Sequence, residues 1–149
     1  MSIKRIVAAT ALICFTSVAV AKAGPWVRTS SGPDSDETGT SLHTEYVLQN
    51  SISPIRGNYR EAYVKITYAP GVPLMGGDVV TTQIADVMVG CGDLSWGDVS
   101  DMAFDNNMRP ILATVGEFDK SKPAWVIKDM QALSPASITY RTAQYICAH

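Results

Sequence analysis

The densest run of metal-type donors in the 149-residue chain is Asp34-Ser35-Asp36-Glu37-Thr38-Gly39, with Glu45 six residues further on. Oxygen donors at alternate positions, a glycine at the sharp turn and a closing glutamate match the spacing of a calcium loop. There, hard carboxylate oxygens surround the cation and the last glutamate binds it with both of its own. On that reading Asp34, Asp36, Thr38 and Glu45 are ligands of a calcium-responsive protein. A plainer reading competes with it. Such loops lie between two helices, whereas Gly32-Pro33 precede this one and a strand-like segment follows, as in a solvated acidic turn.

Other candidates point to contact rather than catalysis. Asp93, Asp98, Asp101 and Asp105 lie in and around one expected hairpin, with Asp101 and Asp105 reading as a solvated strand face and turn rather than a metal site. His43 and His149 have no serine or cysteine partner in a recognisable nucleophile motif. The chain has no Cys-x-x-Cys pair, no glycine-rich phosphate loop after a strand and no zinc-type histidine spacing. The expectation is a non-enzymatic protein without a cofactor. The alternative is a small enzyme without a motif, in which His43 would be coupled to a polar pocket. Arg56, Arg60 and Lys65 surround one strand, either to meet a protein partner or as solvated charges that deter edge aggregation. Trp26, Trp96 and Trp125, with Tyr46, Tyr59, Tyr63 and Tyr68, are either partner contacts or cross-strand packing.

The N-terminal residues set the compartment. Lys4 and Arg5 precede an almost unbroken apolar run from Ile6 to Val20, followed by Ala19-Val20-Ala21 and Ala21-Lys22-Ala23. Charge, short apolar stretch and small-residue site together make residues 1–23 a secretory signal peptide, cut after Ala23. The apolar run falls short of the roughly 20 residues that span a bilayer, so no stable membrane insertion is expected after cleavage. Cys14 follows the large Ile13, which does not fit lipid attachment. The whole chain carries 12 basic and 14 acidic residues; losing Lys4, Arg5 and Lys22 leaves a net charge of −5. That balance gives no footprint for nucleic acid. The expected protein is periplasmic or secreted. There the two remaining thiols, Cys91 and Cys147, read as a disulfide.

Residues 24–149 form a single expected domain. Short strands are predicted at Trp26–Thr29 and near Glu45–Leu48, with a polar loop between them. Tyr59–Ala69 alternates, with Ala62, Val64, Ile66 and Tyr68 on one face, as a half-buried strand does. A Pro/Gly-rich loop covers Ala69–Asp78. Thr82–Cys91 puts Ala85, Val87, Val89 and Cys91 on one face. Leu94–Phe104 and Pro110–Val115 follow, with a short segment at Trp125–Ile127. Ser134 before Pro135 predicts a helix start, and Ile138, Thr142, Tyr145 and Ile146 recur at helical spacing. The class is α+β: an antiparallel meander with a C-terminal helix packed on one face and stapled by Cys147 to Cys91.

In this order the segments resemble the surface-adhesin E-like family of exported bacterial proteins. The matching residues are Trp26, the Tyr46-Val47-Leu48 strand with Ile52, the turn Ile55-Arg56-Gly57 and the strand ending Tyr68-Ala69-Pro70. Ile84–Cys91, Trp125, the Ser134-Pro135 helix start and Cys147 complete the set. The resemblance covers nearly all of residues 24–148. It implies a small antiparallel sheet, a C-terminal helix and a disulfide. For the family's founding member it also implies adhesion to host matrix proteins from a lipid-anchored position. This chain departs in having no lipid-attachment cysteine and no compact Lys-Arg pair, so the fold and bridge carry over and the binding residues do not. The functional expectation is an exported binding module for a protein partner not named by the sequence.

Overall fold

A computed structural model describes residues 24–33, 41–119 and 126–149. Eight strands form one antiparallel sheet: β1 (Trp26–Pro33), β2 (Leu42–Leu48), β3 (Ser53–Pro54), β4 (Tyr59–Pro73), β5 (Val79–Gly90), β6 (Ser95–Phe104), β7 (Pro110–Val115) and β8 (Gln131–Ala132). The main order is β1-β2-β4-β5-β6-β7, a meander, with β3 paired to β4 and β8 to β6. The sheet curls into a half-barrel, and one helix, α1 (Ile138–Ala148), packs against it. Among the described residues no helix is long and apolar enough to cross a membrane.

Alternation decides which side of the sheet is dry. Val47 pairs with Val64 and Val64 with Ala85, and Ala62 pairs with Val87. These residues, with Val89, are at most 2% exposed and pack on Ala143 and Ile146 of α1. This is the concave face. Cys91 continues the same row and bonds to Cys147, with Cα atoms 5.6 Å apart. A bridge closing a separation of 56 residues stabilises by about 4 kcal/mol through the chain entropy it removes. A second cluster of Met88, Val126 and Ile127 fills the other, convex face near the lower end of β6. There Gly97 has no room for a side chain, since a Cβ would lie 2.8 Å from Ile127 Cγ2.

Several element ends differ from expectation, each for a reason of pairing. β1 runs to Pro33 and β2 starts at Leu42, because these polar ends pair with each other and Leu42 with Ala69. β4 continues through the Pro/Gly-rich stretch to Pro73, where Val72 meets Val80, and β5 accordingly starts at Val79. The helix is capped by Ser137, whose hydroxyl accepts from Tyr140 N–H at 3.2 Å; Ser134 instead accepts from Ala136 N–H at 3.3 Å, one turn earlier. Ile127 makes an isolated bridge to Phe118, and Trp125 lies outside the described residues. The proposed signal segment, 1–23, also lies outside them.

Candidate functional site

The two faces carry different polar groups. On the concave face, β2 places His43 and Glu45 two residues apart and therefore on the same side, beneath the first turns of α1. Glu45 is fully buried. Its Oε1 lies 2.9 Å from His43 Nε2 and accepts from Thr139 Oγ1 at 2.7 Å, while Oε2 accepts from Ser30 Oγ at 3.4 Å. Thr142 Oγ1 lies 2.7 Å from Thr29 Oγ1 and 3.0 Å from Ser30 Oγ. Burial alone would raise the Glu45 carboxyl. The hydrogen bonds from His43, Thr142 and Thr139 and the His43 charge outweigh it and hold the carboxyl below its ordinary value. Glu45 is thus an ionised carboxylate locked to the helix.

The polar row continues across the sheet. The His43 ring packs 5.4 Å from that of Tyr68 on β4, whose hydroxyl donates to Gln83 Oε1 on β5 at 3.0 Å. Gln83 Nε2 in turn donates to Asp101 on β6, which also accepts from Thr114 on β7. One connected line of side chains therefore runs from the helix to the far edge of the sheet. Beside its helix end is a groove of about 380 Å³ lined by Pro33, His43, Ser137, Ile138 and Thr139, among others.

On the convex face, Lys65 of β4 faces Tyr46 of β2 across the strand pair. Its Nζ lies 4.7 Å from the Tyr46 ring centroid and 4.9 Å from that of Trp26 on β1. All three are half-buried, and the neighbouring Arg28 and Tyr63 are exposed. Next to them Asp86 of β5 is hydrogen-bonded to Glu61 of β4. Burial, the Glu61 charge and that hydrogen bond push the Asp86 carboxyl up to about 7. The Tyr63 hydroxyl is raised as well, by burial and then by the charges of Asp86 and Glu61.

The sequence candidates separate in space. Of the calcium-loop residues, Asp34, Asp36 and Thr38 lie outside the described residues, while the Glu45 carboxylate is turned toward α1. Among the described residues no three His, Cys, Asp or Glu side chains come together as a metal site. The second acidic set does not converge. Asp93 accepts from Ser95 N–H at 3.1 Å, Asp98 from Trp96 Nε1 at 2.9 Å, and Asp101 belongs to the concave row. Asp105 closes its turn by accepting from the N–H groups of Arg109 and Asn107, both at 2.9 Å, which hold its carboxyl low. His149 stacks on Tyr145 at 4.2 Å, and Arg56 is exposed in the turn before β4. Arg60 Nη1 donates to Tyr59 O at 3.4 Å.

Glu61, Gln83, Asp86 and Thr139 were not singled out from the sequence, and Thr142 was read only as one position of the helix's periodic face. The usable signals were His43-x-Glu45 on one strand face and Thr139-x-x-Thr142 on one helix face. Chemically, His43 beside an ionised glutamate resembles half of a general-base pair. Here the carboxylate's further partners are structural hydroxyls of β1 and α1, so the pair fastens the helix.

No family model matches the chain. No curated protein matches it in sequence. Its structure is similar over most of its length to protein E of Haemophilus influenzae. One crystal form gives a TM-score of 0.48 at 17% identity, covering 70% of this chain and 80% of that one. A second structure, of protein E from a non-typeable strain, gives 0.47 at 15% identity, covering 83% and 75%.

Proposed function

We propose that this chain is an exported, non-enzymatic binding module that receives a protein partner on the convex face of its sheet. The observation that carries this reading is the Trp26–Tyr46–Lys65 cluster, which sits on the side away from α1 with Arg28 and Tyr63 exposed beside it. Tryptophan, tyrosine and arginine, here Trp26, Tyr46, Tyr63 and Arg28 on neighbouring strands, are the residue types that dominate binding energy at protein interfaces. The ammonium group over two rings positions both charge and apolar area without a flexible loop. Export is supported by the Lys4–Ala23 leader pattern and by the Cys91–Cys147 bridge, which persists in oxidising compartments.

The test is saturable binding of the processed domain to purified envelope and host-matrix proteins, compared between wild type and Lys65→Glu and Tyr46→Ala variants. Saturable binding by the wild type, weakened at least tenfold in both variants while their melting curves stay cooperative, is the expected result. Undiminished binding by folded variants would remove the convex face from the account. N-terminal sequencing of the mature protein should begin at Gly24.

A further inference from the structure

We propose that the notch where β7 leaves the sheet and β8 joins it binds a linear aliphatic diamine. β7 pairs with β6 as far as Ser100 and Val115, whereas β8 pairs with β6 at Ser95 and Trp96. Gly97 and Asp98 lie between these two pairings. The chain turns away from β7 at Gly116, whose N–H donates to Val99 O at 2.8 Å. A Cβ on Gly116 would collide with Asp98 O, so only glycine lets the chain turn this close to β6. The notch is a groove of about 330 Å³.

Its walls are built before any ligand arrives. Strand period puts Trp96 and Asp98 on the same side of β6. The indole N–H of Trp96 donates to Asp98 Oδ1 at 2.9 Å. Trp96 and Leu133 both pack on the core cluster and both line the groove, which fixes an apolar wall with an aromatic ring in it. Among the described residues no donor meets Asp98 Oδ2. Burial by these walls pushes the Asp98 carboxyl above its ordinary value; the Trp96 bond opposes this and the Asp101 charge adds to it.

Charge selects the occupant. The described lining holds the carboxylates of Asp98, Glu117 and Asp129 and one ammonium, that of Lys128. Lys128 is already engaged with Glu117, at 3.8 Å. Asp98 and Asp129 are left to the ligand, and Asp98 adjoins an indole. A carboxylate beside an aromatic ring suits an alkylammonium, which is attracted by both and can lay its methylenes on the apolar wall. A bare metal dication matches the charge but not the wall. Among the described residues no three acidic, histidine or cysteine side chains converge on one. A diamine carries two positive charges joined by an apolar chain, and so answers both features. The convex-face cluster is carried by β1, β2 and β4, so this site is independent of the proposed partner surface.

The experiment titrates cadaverine, a pentane with an ammonium at each end, into the processed domain at low salt. The readout is the Trp96 indole N–H resonance. The expected result is a saturable shift with a midpoint below about 1 mM. Pentylamine, with one charge, should bind about tenfold more weakly, and pentanediol, with none, should give no saturable shift. Asp98→Asn keeps an acceptor for the indole while removing the charge, and should weaken binding about tenfold with an unchanged melting curve. Asp129 has a φ of 60°, which asparagine accepts as readily, so Asp129→Asn tests the second charge in a folded protein and should weaken binding about threefold. No saturable shift with cadaverine overturns the proposal, as does an equal response to pentanediol or to magnesium. Undiminished binding by either folded variant overturns it as well.

Discussion

On the covered face Glu45 is wholly out of water, yet it accepts hydrogen bonds from β1 and α1, sits against His43 and stays ionised. On the open face Asp86 is only partly buried, the charged group that acts on it is another carboxyl, and its proton is held up to about 7. Depth alone would rank these two groups the other way round. What separates them is the set of donors each face supplies: hydroxyls and imidazole from three elements on one side, a like charge on the other. The covered face uses its polar groups to fix the helix. The open face leaves charge and aromatic area unspent.

Breaking the covered face should have the largest effects. Replacing Cys91 and Cys147 together by serine should lower stability by about 4 kcal/mol, read from urea denaturation. A loss below about 1 kcal/mol would mean that packing alone seats the helix. Glu45→Ala should cost about 3 kcal/mol, since it leaves His43 and the threonine and serine hydroxyls without their acceptor. Because the folded carboxyl lies below its unfolded value, this contribution is present above the ordinary carboxylate range and fades as pH falls through the folded value. A wild-type stability that stays flat through that acid range would contradict the role given to Glu45.

On the open face the sign reverses. Asp86, raised when folded, binds its proton more tightly in the native state, so wild-type stability should fall as pH rises from about 4 to about 7. Asp86→Asn should flatten that limb and gain roughly 1 kcal/mol at pH 8, a figure already reduced for the solvent that reaches the group. Thermal melts across pH decide it, and an unchanged slope in the variant would count against the Asp86–Glu61 pair. Lys65→Ala should be the mildest for folding, about 0.5 kcal/mol, because it removes only a partly exposed cation over two rings. Its larger consequence should appear in partner binding, and a stability loss comparable to that of Glu45→Ala would make the cluster structural.

Much of the sheet was legible because burial follows strand period. Ala62, Val64 and Ile66, Val87 and Val89, and the inward direction of Cys91 could be read from alternation, and β7 has the bounds that its composition suggests. The ends were not legible where pairing overrides composition, as at Gly71–Pro73, or where a second serine offers a competing cap, as at Ser134 and Ser137. The concave network was hidden for another reason. Thr139 meets Glu45 across 94 residues, and no local pattern encodes a contact of that span. The Asp86–Glu61 pair likewise needs the register of β4 on β5 before the two carboxyls become neighbours.

The helix that covers the concave face follows every strand in chain order. As an exported chain emerges N-terminus first, Val47, Val64, Val87 and Val89 therefore reach the far side of the membrane before the helix residues that shield them. Over that interval the apolar face of those strands has no helix to cover it. The contacts that end this interval are among the most distant in sequence, which makes closure slow relative to hairpin formation. Until α1 docks, nothing covers the apolar side of those strands, and the 91–147 bond, once formed, keeps the helix from leaving it.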